Sequence, residues 1–124
     1  MRVRRRILVA DDNPLIRKML CELFKDHEYL EICDEAVNGQ EAVAKAREHR
    51  PDLIILDLAM PRMNGLQAAM AICKILPNVP IILFTLYASA IRSSEAAVSG
   101  ITRVVSKNEP STLVGHAENL LRVG

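Results

Sequence analysis

Strand-like apolar runs recur at residues 6–10, 30–37, 53–57, 81–85 and 102–106. The cores of three of them, ILVA, LIIL and IILF, are apolar without alternation. That is the pattern of a parallel strand covered on both faces. Between the runs the spacing changes to that of amphipathic helices. Asn13 is placed to cap the first, with Pro14 in its opening position. Leu15, Ile16, Met19, Leu20, Leu23 and Phe24 fall on its inward face. The second is expected at about 39–49, with Ala42, Val43 and Ala46 inward. The third follows Asn64-Gly65 and turns Leu66, Ala69, Met70, Ile72, Cys73 and Leu76 inward. The fourth, about 88–99, is rich in Ala and Ser, with only Ile91 and Val98 as large apolar residues; Gly100 is expected to end it. The fifth follows Pro110 and buries Leu113, Val114, Ala117, Leu120 and Leu121.

Strands alternating with helices imply βαβ crossovers, and so an α/β fold with a doubly wound five-stranded parallel sheet. One domain over residues 1–124 is expected, long enough to bury roughly two-thirds of its unfolded surface. In such sheets the ligand site lies outside the carboxyl ends of the strands, where the strand order switches.

Half the residues are hydrophobic and 25% are charged, which excludes a disordered chain. No apolar run approaches the ~20 residues that cross a bilayer. The start, MRVRRR, has the charge of a signal-peptide lead, but the apolar run after it stops at Ala10 and two aspartates follow. The expected location is cytoplasmic, with no membrane partner. Cys21, Cys33 and Cys73 are odd in number and lack metal-ligand spacing, so they read as reduced core residues. His27, His49 and His116 stand apart and read as surface residues. Arg2, Arg4, Arg5 and Arg6 carry +4 of a net +1, leaving −3 for residues 7–124. With no aromatic interleaving and no second basic cluster, that arm reads as a solvated lead-in rather than a nucleic-acid contact.

The first run ends on Asp11-Asp12. Two carboxylates roughly 4 Å apart repel by ~4 kcal/mol at an effective dielectric near 20, so a cation is expected beside them. Asp57, Thr85 and Lys107 end the third, fourth and fifth runs, at the same edge of the sheet. Clustered carboxylates are a hard-oxygen site suited to Mg²⁺. An ammonium and a metal around one free carboxylate, with a hydroxyl beside it, suit attack on a phosphoryl group.

ILVADDN, DLIILDLAMPRMNG, PIILFT and the Gly100-to-Lys107 spacing, in that order, resemble the receiver domain of two-component response regulators. The resemblance covers essentially the whole chain. It implies a flavodoxin-like (βα)5 sheet of order 2-1-3-4-5. It implies Asp57 as phosphoacceptor, and Mg²⁺ held by Asp11, Asp12, Asp57 and the Ala59 backbone carbonyl. Thr85 and Lys107 would contact the phosphoryl oxygens. The donor would be a phosphohistidine on a histidine kinase or phosphotransfer protein. The domain would catalyse only its own phosphorylation and dephosphorylation. The segment MNGLQAAMAICKILPNVPIILFT is most similar to receivers of LuxR-type helix-turn-helix regulators, which implies a DNA-binding output domain if the chain is truncated. A homodimer through the fourth helix, fifth strand and fifth helix is a further implied partner.

Some positions depart from the family pattern. Val104 replaces the usual Tyr or Phe three before the lysine, and a β-branched side chain has no comparable swing. Leu86 stands where a small residue follows the threonine, and is expected to crowd the phosphoryl pocket. Asn108-Glu109-Pro110 replaces a proline directly after the lysine. Two alternatives stay open: a phosphohydrolase, although Asp57-Leu58-Ala59 lacks that chemistry's second acid, and a degenerate receiver that binds partners without phosphorylation.

Overall fold

The computed structural model describes residues 3–123, so Arg2 of the basic lead-in and both ends of the expected 1–124 domain lie outside the described residues. Strands and α-helices alternate in the order β1 Arg5–Ala10, α1 Pro14–Phe24, β2 Leu30–Ala36, α2 Gly39–His49, β3 Leu53–Leu56, α3 Gly65–Ile75, β4 Ile81–Thr85, α4 Ser93–Ser99, β5 Arg103–Ser106 and α5 Leu113–Leu121. The strands pair in parallel as β2-β1-β3-β4-β5, the flavodoxin-like 2-1-3-4-5 order.

The unalternating strands are explained by helices on both faces. Leu8, Ala10, Ile54, Leu56, Ile81 and Leu83 pack in one layer with Ala42 and Ala46 of α2, Ala68, Ala69 and Ile72 of α3, and Ala96 of α4. Ile7, Val9, Leu53, Ile55, Ile82 and Phe84 face the other way, with Leu20 and Phe24 of α1 and Leu113, Ala117 and Leu121 of α5. Neighbouring residues of one strand thus serve opposite cores, and neither face tolerates a polar position. Burying a Leu, Ile or Phe side chain contributes roughly 1.5–3 kcal/mol, so these layers carry most of the stability.

The helix starts follow the local chemistry. The Asn13 side chain accepts the Leu15 N–H at 2.9 Å, with Pro14 next in line. Asn38 does the same for α2 through Glu41. Asn64 and Gln67 cap α3 reciprocally, each side chain bonding the other's N–H.

Several helix faces differ from the periodic expectation. Leu15 is 73% exposed, because the first turn of α1 starts beyond the end of β1 with no strand beneath it. Met70 is also exposed rather than inward, and Ala68 takes a buried place on α3; Val98, one of the two large apolar residues of the fourth helical segment, is 78% exposed. The fourth helix is not continuous over 88–99. A 3-10 turn at Ala88–Ala90 gives way to extended backbone at Arg92, and α4 proper runs only from Ser93. With Ala96 and Ser99 as its buried residues, little packing holds a longer helix down.

The histidines are pinned rather than free on the surface. His27 Nδ1 accepts the N–H groups of Tyr29 and Leu30 at 3.0 and 3.1 Å, so its proton sits on Nε2, 3.0 Å from Glu118. His49 pairs with Asp34 at 2.9 Å, and His116 Nδ1 accepts from Arg103 at 3.1 Å. Arg6 is likewise docked instead of solvated. The Arg6 guanidinium donates to the His49 carbonyl at 2.7 Å, while Arg5 stays 43% exposed with Asp52 3.9 Å away.

Gly100 ends α4 at φ +84°, and a Cβ there would lie 2.2 Å from Cys73 Sγ. Gly100→Ala is therefore expected to cost about 1–3 kcal/mol, read from urea denaturation. An unchanged midpoint would contradict this packing.

Candidate functional site

β1 and β3 are sheet neighbours although β2 lies between them in sequence, so the strand order switches between them. Their last paired residues are Ala10 and Leu56. Asp11 and Asp57 each follow by one position, side by side at the switch point, and the Asp57 N–H donates to the Ala10 carbonyl at 2.9 Å. Thr85 and Ser106 close the β4–β5 pairing, and the Lys107 N–H donates to the Thr85 carbonyl at 3.0 Å. Lys107 leaves the sheet there and its ammonium returns across the edge, passing 6.0 Å from the Phe84 ring centre.

The structure brings the charged groups together. Lys107 Nζ is 2.7 Å from Asp11 Oδ2 and 3.2 Å from Asp57 Oδ1. Asp11, Asp12 and Asp57 each offer a carboxylate oxygen within 4.8 Å of the others. Asp11 and Asp57 are only 1% and 6% exposed, while Asp12 is open to solvent. Burial pushes the Asp57 carboxyl above the usual carboxylate range; the charge of Asp11 pushes it further, and Lys107 opposes both. Burial alone would weaken the Lys107 ammonium. Its bonds and charge attraction to Asp11 and Asp57 outweigh that and hold its pKa above the ordinary lysine value.

Three carboxylates against one ammonium leave a local charge of −2. Hard oxygen donors, close set and half open to water, fit a magnesium ion, which keeps several waters and takes few protein ligands. Thr85 is fully buried, and its hydroxyl oxygen accepts the Tyr87 N–H at 3.1 Å. Ala59 is exposed in the loop after β3, and none of the described backbone bonds uses its carbonyl.

Leu86 does not crowd this pocket. It is 61% exposed, since it lies past the end of β4 where the chain turns outward. Tyr87 is 56% exposed. Val104 is half-buried against the layer that holds α4.

Two contributors were not anticipated from the sequence. A Cβ on Gly65 would lie 2.2 Å from the Asp57 carbonyl, so this glycine lets the start of α3 press directly against the end of β3. Its place in the Asn64-Gly65 pair suggests only a turn. Arg17 Nη1 donates to the Asp11 carbonyl at 2.8 Å, while its Nε pairs with Glu35 at 3.1 Å. A charged residue on a helix gives no sign of this in sequence.

Known proteins are similar to this chain in sequence and in fold. The chemotaxis protein CheY of Thermotoga maritima is 37% identical over 111 residues, 89% of this chain and 92% of that protein. The response regulator domain of Thermotoga maritima CheB superposes with a TM-score of 0.88 at 26% identity, covering 98% of both chains. A LuxR-family response regulator from Aurantimonas sp. SI85-9A1 gives 0.87 at 27% identity, covering 96% of this chain and 86% of that one. Other curated relatives are longer. The chain spans only 23% of a protein-glutamate methylesterase/protein-glutamine glutaminase of Clostridium acetobutylicum, which is 34% identical over 80 residues, 64% of this chain. The response regulator receiver domain family matches residues 7–118, and with the acids, threonine and lysine gathered at one sheet edge, the chain belongs to that family.

Proposed function

We propose that Asp57 is the phosphoacceptor of a two-component phosphorelay. The observation that carries this is a trio of close-set carboxylates at the switch point of the sheet, two of them, Asp11 and Asp57, paired with the Lys107 ammonium. An Asp57 carboxylate oxygen bonds to phosphorus as the phosphorus–nitrogen bond of a donor phosphohistidine breaks. The electron pair leaves with the imidazole. The donor sits on a histidine kinase or phosphotransfer protein. Lys107 binds a phosphoryl oxygen, and the Thr85 hydroxyl donates to another. Asp11, Asp12, Asp57 and the Ala59 carbonyl would hold Mg²⁺, which supplies neutralisation of the phosphoryl charge.

The single domain then acts as a switch on a partner or on an output domain. Likeness to the LuxR-family regulator supports a DNA-binding output, with the face of α4, β5 and α5 as the surface for dimerisation. A second reading, a receiver that works without phosphorylation, rests on Val104, which replaces the mobile aromatic residue of related domains. Incubation with acetyl phosphate and Mg²⁺ separates them: a mass gain of one phosphoryl group supports the first, and no modification with no metal affinity supports the second.

The phosphorylated form is expected to be long-lived. Ala59 has no polar group to orient a water, and Tyr87 stands two residues past Thr85, where its ring can shield the acyl phosphate. The decay of phospho-Asp57 in Mg²⁺, followed by intact mass, should take minutes or longer. A lifetime of seconds would contradict this.

A further inference from the structure

The Asp12 carboxylate is exposed, and none of the described hydrogen bonds or ion pairs reaches it. Asp11, in contrast, is held on every side. Its Oδ1 accepts the Asn13 N–H at 2.9 Å, its Oδ2 meets Lys107, and its N–H donates to the Ala36 carbonyl at 3.0 Å. Its carbonyl belongs to the peptide that joins it to Asp12. Among the described residues, Arg17 supplies the hydrogen bond to that peptide, from Nη1 at 2.8 Å. Arg17 is itself fixed at both ends. Its backbone N–H donates to the Asn13 carbonyl one turn back, and its Nε is gripped by Glu35 on β2 at 3.1 Å. Its side chain is 17% exposed.

We propose that Arg17, gripped by Glu35, is a positioning residue for the acid pair: it sets the Asp11–Asp12 peptide, and through it the affinity of the site for a divalent cation. This rests on the reading above that the acids hold such a cation. A guanidinium suits this geometry, since its Nε and Nη1 serve two acceptors on different elements in one fixed plane, which a single ammonium does not reproduce. Glu35 has a second part. A bare cation beside this site would oppose a dication, and the Glu35 carboxylate cancels that charge while leaving the hydrogen bond in place.

Isothermal titration of the full chain with Mg²⁺, beside urea denaturation in EDTA, tests this. Arg17→Ala is expected to raise the Mg²⁺ dissociation constant about tenfold, the scale of one lost hydrogen bond to a charged group. Arg17→Lys should recover less than half of that loss on a logarithmic scale. Adding Glu35→Ala to Arg17→Ala should weaken binding no further, because Glu35 acts through Arg17. At saturating Mg²⁺ the rate of modification by acetyl phosphate should return to the wild-type value. If Arg17→Ala does not fold, Glu35→Gln decides, since it keeps the acceptor and removes the charge: weaker Mg²⁺ binding upholds the proposal and wild-type binding overturns it. Variants that lose stability but bind Mg²⁺ like wild type, or an Arg17→Lys indistinguishable from wild type, overturn the proposal and leave the receiver reading intact. A wild-type chain that binds no Mg²⁺ overturns both.

Discussion

Lys107→Ala destabilises the metal-free fold by about 3–5 kcal/mol at neutral pH, and millimolar Mg²⁺ restores much of the loss. The Lys107 and Asp11 side chains are 11% and 2% exposed, and Asp57 is nearly as enclosed. Removing the cation leaves two buried carboxylates facing each other without compensation. Breaking a buried pair by deleting one partner costs in this range, mostly as the burden of the charge left behind. A divalent ion in the same cleft supplies the missing positive charge, so the variant should gain more from Mg²⁺ than the wild type does. The deficit should also shrink in acid, where the carboxylates take up protons. In the wild type the sign is set by the raised Lys107 pKa. Its contribution is fully present below the ordinary lysine value of 10.5 and is lost only as pH climbs through the higher folded value. Urea denaturation with EDTA and with Mg²⁺ measures all of this. A variant as stable as wild type in EDTA would show that the ammonium does not compensate the acids.

Asp57→Asn has the opposite effect on stability and a complete effect on function. It leaves no carboxylate to attack phosphorus, so no phosphoryl group is gained from any donor. It also removes a charge that the fold disfavours. Burial and Asp11 raise the Asp57 pKa, so the folded chain holds this proton more tightly than the unfolded chain does. The stability tied to that proton is fully present below the unfolded carboxylate value of 3.8 and is lost as pH rises through the folded one. At pH 7 without Mg²⁺, Asp57→Asn should therefore unfold at higher urea than wild type, and the two should converge as pH falls. A less stable Asp57→Asn at pH 7 would mean that this carboxylate is a structural anchor rather than a strained nucleophile.

Much of the fold and of the acid site is legible in the sequence. ILVA, LIIL and IILF announce buried parallel strands because both faces need apolar residues, and the polar residue that ends each run falls at the same sheet edge. Asp11, Asp57, Thr85 and Lys107 were legible for that reason. What stayed hidden depends on where neighbouring elements stop. Leu15 fits the apolar stripe of α1, but the sheet ends before it. Leu86 directly follows Thr85 in sequence, yet the chain turns outward there and leaves the pocket clear. The break ahead of α4 depends on packing that small residues do not supply. Gly65 and Arg17 act through backbone carbonyls of the acid segments, and a carbonyl's partner leaves no trace in side-chain spacing.

A receiver of this kind depends on a cation-compensated acid pocket in which one carboxylate bonds to phosphorus. The most direct measurement is to treat the chain with acetyl phosphate, reduce the product with borohydride and map the peptides. An acyl phosphate at Asp57 is reduced to homoserine. The predicted result is homoserine at position 57, formed when Mg²⁺ is present and absent in EDTA. Homoserine at another acid, at none, or at 57 regardless of the metal would contradict it.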